Sequence, residues 1–298
     1  MNQPLLTPQL LAQTKDLSLI AKLVAQGALQ GEHTSRQRGV GAEFSQYRAY
    51  EPGDEISKID WKLFARSHRY FVREAERESD INVWLMIDCS ASMLEACDNS
   101  GLSKIDYARI FAAALAHIAC FQGDSVGLVG LSVEKPEFIP ALSGTKHLNR
   151  CFVGLHNLRS GDAFPDVSQI QYQLMSARKN ALIFVLSDFY QQSNEIIDFI
   201  KQISCRYSDV HPLQLSTNIE HTFELKGRYE LEDRETGEKV KVNAETIREQ
   251  YLSNRQRYLD EMATNLGAYG ASMQVLNISL PIEQTLLNVV NTMRWQPR

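Results

Sequence analysis

A chain of 298 residues suits about two domains at ~150 residues each, or one large α/β domain carrying a smaller elaboration. Hydrophobic residues at 44% and charged residues at 22% exclude a collagen-like or wholly disordered chain. The net charge of −5 supplies no cationic field for a nucleic-acid backbone, so nucleic acid is not expected as a partner.

The first 27 residues are interrupted by Gln, Lys and Asp and lack the basic start and unbroken apolar centre of a signal peptide. They read as an amphipathic helix. The longest nearly apolar stretch, Ile110 to Phe121, is about a dozen residues and carries His117, short of the ~20 that a membrane span needs. No stable membrane insertion is expected. Five cysteines, Cys89, Cys97, Cys120, Cys151 and Cys205, form no CxxC pair, which suits free thiols in a reducing compartment. A cytoplasmic location is the expectation.

A polar passage from about Glu32 to Asp80 follows, with a turn at Glu51-Pro52-Gly53-Asp54 and an alternating stretch at Tyr70-Phe71-Val72-Arg73 that suggests strands or extended loops. From Ile81 the texture changes to near-continuous apolar runs separated by segments of helical period. Strands are predicted at Ile81 to Asp88, Val126 to Leu131, Leu182 to Ser187 and Val210 to Leu215. A helix is predicted through Val167 to Asn180 among others. Such runs fit a parallel sheet covered on both faces, so the predicted fold class is α/β, a doubly wound, mainly parallel sheet. Two alternating stretches around Glu235-Thr236-Gly237-Glu238 read as a hairpin inserted at about 221–245, because Gly237 can take the positive φ of a tight turn. The predicted division is 1–80, the N-terminal helix with the polar segment, and 81–298, the α/β domain with its hairpin.

Ligand groups on open α/β sheets collect on loops beyond the carboxyl ends of the strands. The strand predicted to end at Asp88 runs into Cys89-Ser90-Ala91-Ser92, the loop Ser143-Gly144-Thr145 opens a helix, and another apolar run ends in Ser187-Asp188. The candidate metal ligands are therefore Asp88, Ser90, Ser92, Thr145 and Asp188. All are hard oxygen donors, which suits Mg²⁺ or Mn²⁺ with one position left for an external carboxylate. Asp88, Ser90, Ser92 and Thr145 also suit helix caps.

The order Asp88-x-Ser90-x-Ser92, then Thr145, then Asp188, resembles the metal-ion-dependent adhesion site (MIDAS) of von Willebrand factor A domains. The preceding passage carries Gly39-Val40-Gly41-Ala42-Glu43-Phe44, Arg48-Ala49-Tyr50-Glu51-Pro52-Gly53-Asp54-Glu55, Ile59-Asp60-Trp61-Lys62 and Ala65-Arg66. It resembles the bacterial family called domain of unknown function fifty-eight, whose members are von Willebrand factor A-like and typically encoded beside MoxR-type AAA+ ATPases. The likeness is strongest from about Arg38 to Met93, fainter to Asp188 and weak after Ser216. Where that family usually has two basic residues before Ile-Asp-Trp, this chain has Ser57-Lys58. The resemblance implies a von Willebrand factor A-like fold and a metal-dependent protein-binding module. It also implies a MoxR-type AAA+ ATPase, or a client protein shared with it, as partner in protein maturation or complex assembly.

Read physically, Arg48, Arg66 and Arg73 face a similar number of acids in Glu43, Asp54 and Asp60, with Trp61 as an apolar anchor. Such a set forms either a buried network or an interaction surface. The alternative function is a Mg²⁺-dependent hydrolase or phosphatase on a Rossmann-like fold, since a strand ending in Asp also opens phosphotransfer sites of the haloacid dehalogenase type. Those place a second carboxylate two residues on, and here that residue is Ser90. No GxSxG, GxxxxGK[ST], HExxH or GxGxxG pattern occurs, and His147 is the nearest candidate base. No catalytic residue is therefore assigned.

Overall fold

The computed structural model describes residues 16–33, 46–49, 63, 64, 66, 69–74, 81–96, 101–134, 136–161, 164, 165, 181–191, 194–207, 209–232 and 237–292. The chain divides into two units, 33–80 and the remainder, 1–32 with 81–298. This corrects the expected boundary: the N-terminal helix belongs with the α/β unit and not with the polar segment. The physical reason lies in its apolar face. Helix α1 (Leu17–His33) buries Ile20, Ala21, Val24, Ala25 and Ala28 in the main core, the i, i+1, i+4, i+5 stripe of an amphipathic helix.

In the smaller unit, β1 (Gln46–Ala49) and β2 (Phe71–Glu74) pair antiparallel, Tyr47 opposite Arg73. Phe64 stacks on Tyr70 with ring centroids 4.5 Å apart. Of the strand or extended loop expected near Tyr70 to Arg73, the strand is observed. Glu43, Asp54, Asp60 and Trp61 of the predicted charged network lie outside the described residues.

The main unit is a six-stranded sheet built on β3 (Asn82–Asp88), every residue of which is buried. Its side chains alternate as a strand requires. Val83, Leu85 and Ile87 enter one core, while Trp84 and Met86 enter the other. Parallel neighbours are β4 (Ser125–Leu131) on one side and β6 (Ala181–Ser187) on the other. Beyond β6 lie β7 (Asp209–Ser216) and β10 (Gln274–Asn277), also parallel, whereas β5 (Glu137–Leu142) closes the far edge antiparallel to β4. The order is β10-β7-β6-β3-β4-β5. The doubly wound, mainly parallel sheet expected from the apolar runs is thus observed.

Both faces are covered. Helices α2 (Lys104–Phe121), α3 (Thr145–Asn157) and α7 (Ile282–Thr292) join α1 on one face. Helices α4 (Glu195–Arg206) and α6 (Ala244–Gly267) cover the other through Phe199, Ile203, Leu259 and Leu266. A short helix, α5 (Asn218–Thr222), follows β7 and is closed by a reciprocal capping box between Thr217 and Glu220. The hairpin of β8 (Arg228–Glu232) and β9 (Lys239–Asn243) follows, with Gly237 at φ 73°. It lies within the expected interval. The helix expected through Val167 to Asn180 lies outside the described residues.

Helix α2 positions one wall of the site and is capped by Ser103, whose Oγ accepts from the Asp106 N–H at 3.2 Å and donates to Asp106 Oδ2 at 2.6 Å. Ser103→Ala is expected to lower the unfolding free energy by about 1 kcal/mol in urea titrations. No helix among the described residues is long and apolar enough to cross a membrane.

Candidate metal centre

The chain leaves β3 toward β4 and β5, then returns to the opposite side of β3 for β6, β7 and β10. That reversal falls at the carboxyl ends of β3 and β6, the position at which open α/β sheets bind ligands. Asp88 ends β3 and Asp188 follows β6 directly. Both carboxylates are fully buried.

A run of hydrogen bonds through Ser90 and Ser92 joins them. The Ser90 N–H donates to Asp88 Oδ1 at 2.8 Å, Ser90 Oγ lies 3.0 Å from Ser92 Oγ, and Ser92 Oγ donates to Asp188 Oδ1 at 3.1 Å. The other oxygen of Asp88, Oδ2, accepts from Ser187 Oγ at 2.5 Å and from Gln191 Nε2 at 2.7 Å. Ser92 alone of these serines is partly exposed, so the set opens to solvent on its side. Four of the five predicted ligands, Asp88, Ser90, Ser92 and Asp188, are therefore brought together.

Thr145 is not among them. Because β5 runs antiparallel to β4, Leu142 pairs with Val126, which is level with Val83 at the amino end of the parallel strands. Thr145 opens α3 three residues later and is exposed; the level of Leu142 and Val83 lies about 16 Å from Asp88 along the strand direction at ~3.3 Å per residue, at the opposite end of the parallel strands. His147 in the same turn bonds the Val126 carbonyl at 2.8 Å. The sequence reading placed this loop at the wrong end because an antiparallel edge strand has no distinct apolar signature. The loop that does reach the site follows α3. Ser160 Oγ donates to the Ser90 carbonyl, and the Gly161 N–H donates to the Cys89 carbonyl at 3.2 Å. A Ser-Gly pair just past a helix end was the available signal for it.

The loop after β6 is held tightly. Phe189 adopts a left-handed φ of 62° although fully buried, a strained conformation that persists only when neighbours over-determine it. Its N–H donates to Ser187 Oγ at 3.0 Å, and its carbonyl accepts from the Tyr258 hydroxyl of α6. Gln214 Nε2 donates to the Asp188 carbonyl at 3.2 Å.

Sequence reasoning missed Lys104. It is fully buried at the start of α2, and its Nζ lies 2.5 Å from Glu95, 2.9 Å from Glu220 and 3.3 Å from Asp188. Burial works against its charge, but Asp188, Glu220 and Glu95 outweigh burial and hold the ammonium above its ordinary range. Burial, and then the nearby Asp188, push Asp88 up to about 6 against the hydrogen bonds of Ser187 and Ser90. A buried carboxylate such as Asp88, whose charge burial and a second carboxylate oppose, is relieved by a cation placed between the two.

The residues present fit a hard divalent cation. Two carboxylates and two hydroxyls converge, and Gln191 Oε1 is buried beside them with no hydrogen-bond partner among the described residues. Mg²⁺ takes such oxygens with water completing its shell. The hydroxyls are essential to this reading, because no cluster of three or more His, Cys, Asp or Glu suited to a metal occurs among the described residues.

Residues 46–260, more than two thirds of the chain, match the family described as "Protein of unknown function DUF58". The chain belongs to this family. Relatives of this DUF58 protein include an uncharacterized protein of Mycobacterium tuberculosis and one of Mycobacterium bovis, each 30% identical over 143 residues, 47% of this chain and 44% of the relative. The match thus spans less than half the length of those relatives. Among solved structures it is similar to the conserved hypothetical protein BatB from Bacteroides thetaiotaomicron, at 12% identity and TM-score 0.46 over 72% of this chain and 100% of that one. It is also similar to the SpRpn10 VWA domain, at 13% identity and TM-score 0.40 over 70% of this chain and 94% of that one.

Proposed function

We propose that the chain is a divalent-cation-dependent protein-binding module. In this reading Asp88, Ser90, Ser92 and Asp188 hold one Mg²⁺ or Mn²⁺, and a carboxylate of a partner protein completes the shell. The observation that carries the reading is the continuous run of hydrogen bonds from Asp88 through the Ser90 N–H, and from Ser90 Oγ through Ser92 Oγ to Asp188, which gathers two carboxylates and two hydroxyls and is open to solvent at Ser92. Hydroxyl ligands add no charge, so the bound ion keeps its attraction for an external acid. The partner is a MoxR-type AAA+ ATPase or its client, the association implied by the family resemblance, and the chain serves as adaptor in protein maturation or complex assembly in the cytoplasm. A metal bond gives direction, and flanking contacts supply the rest of an interface of roughly 1,200–2,000 Å².

The alternative, a Mg²⁺-dependent hydrolase or phosphatase, needs a nucleophile, which is either a side chain or a metal-bound water. Ser216 Oγ lies 2.7 Å from His221 Nε2, and Cys151 Sγ lies 3.5 Å from His147 Nε2. Ser216 and Cys151 are both fully buried, and burial pushes the Cys151 thiol up to about 12. Neither pair is placed to meet a substrate as a side-chain nucleophile.

The test is the affinity of the full chain for a MoxR-type AAA+ ATPase with Mg²⁺, with chelator, and after Ser90→Ala. Chelator and the substitution are each expected to weaken binding about tenfold or more. Tight binding indifferent to both would move the interface away from this site, and turnover of phosphate esters only with Mg²⁺ would favour the hydrolase.

A further inference from the structure

A lysine as the first residue of a helix sets its charge against the positive end of the helix dipole, and burying it adds a desolvation cost. Lys104 does both. Its Nζ is ringed by Glu95, Glu220 and Asp188, with the Tyr190 ring centroid 5.4 Å away. Asp188 is shared. Its Oδ2 faces the ammonium, while its Oδ1 accepts from Ser92 on the side of the proposed cation. The same carboxylate thus serves an internal cation and the binding site.

We propose that Lys104 is the resident counter-cation of the site and sets its divalent-ion affinity. It supplies Asp188 with a positive charge when no divalent ion is bound, which keeps the site formed, and it repels the incoming ion, which keeps binding weak until a partner's carboxylate is added. This inference rests on the cation-binding reading above and adds a regulating residue to it. The ammonium and a divalent ion on opposite oxygens of one buried carboxylate are close enough for their repulsion to alter affinity by about tenfold or more. Lys104 also bonds Glu220 of α5, so one residue ties α2, the β6 loop and α5 together.

The experiment is a calorimetric Mn²⁺ titration of the full chain, with thermal melts in Mg²⁺ and in chelator and circular dichroism to check folding. The variants are Lys104→Met with Glu220→Gln, Lys104→Arg, and Glu220→Gln alone. The double variant removes one cation and one acid together, so its net charge is unchanged while Asp188 is freed. It is expected to bind Mn²⁺ about tenfold tighter and to show a larger Mg²⁺-induced rise in melting temperature. Lys104→Arg keeps the charge and is expected to stay within about threefold of the parent. Glu220→Gln alone leaves Lys104 more dependent on Asp188 and is expected to weaken binding, which tests the proposal even if the double variant does not fold. A folded double variant that binds no tighter than the parent, tightening in Lys104→Arg, or tightening in Glu220→Gln overturns the proposal. Binding by the double variant but not by the parent supports it. Absence of binding in both overturns the cation reading itself, and this inference with it.

Discussion

Asp88→Asn is expected to lower divalent-cation affinity about a hundredfold while leaving the fold intact. The asparagine keeps an acceptor for the Ser90 N–H, and its amide can donate to Ser187 Oγ. The Gln191 amide can then turn its unpartnered Oε1 toward the new donor. What is lost is the anionic ligand. The sign of the stability change is opposite to the usual result of removing a buried group. Asp88 is raised from 3.8 to about 6 in the folded chain, so its ionisation opposes folding. The penalty is absent below about pH 4, grows between pH 4 and 6, and reaches about 3 kcal/mol above that, the order of magnitude that such a shift implies. In chelator at pH 7.5 the asparagine variant is therefore expected to be at least as stable as the parent, whereas at pH 4 the difference vanishes. Saturating Mg²⁺ should return the advantage to the parent. Urea unfolding at the two pH values and calorimetric titration check both halves. Thr145→Ala should leave cation affinity unchanged, and an effect as large as that of Asp88→Asn would refute the placement of Thr145 at the far edge.

Trp84→Ala is expected to cost about 3–5 kcal/mol, the range for deleting a fully buried large aromatic side chain. Trp84 lies in the core between the sheet and α4 and α6, against Phe138 at a centroid distance of 5.7 Å. Its indole lies over Gly127 of the neighbouring strand, where an added Cβ would fall 2.6 Å from the ring. Gly127→Ala is accordingly expected to destabilise by about 1–3 kcal/mol through overpacking. The two positions share one space, so the double substitution should cost less than the sum of the singles. Additive costs in urea unfolding would mean that the glycine is not there to admit the indole.

The apolar runs at Asn82–Asp88, Ser125–Leu131, Ala181–Ser187 and Asp209–Ser216 were legible in sequence because a strand buried on both faces must be apolar at nearly every position. So was the hairpin, because Gly237 must take a positive φ. Asp88 and Asp188 were legible as strand-end acids, since parallel strands deliver their carboxyl ends to one edge. The direction of β5 was not: antiparallel edges and parallel strands share the same local pattern, and that direction alone decides that Thr145 leaves the site and that the Ser160 loop enters it. Lys104 was equally hidden. A lysine opening a helix normally reads as a solvated residue, and only the packing of α2 against Glu95, Asp188 and Glu220, which are far apart along the chain, makes its charge a buried one. Burial periodicity is a local property carried by neighbouring residues, whereas strand direction and charge pairing depend on segments that meet only when the chain folds.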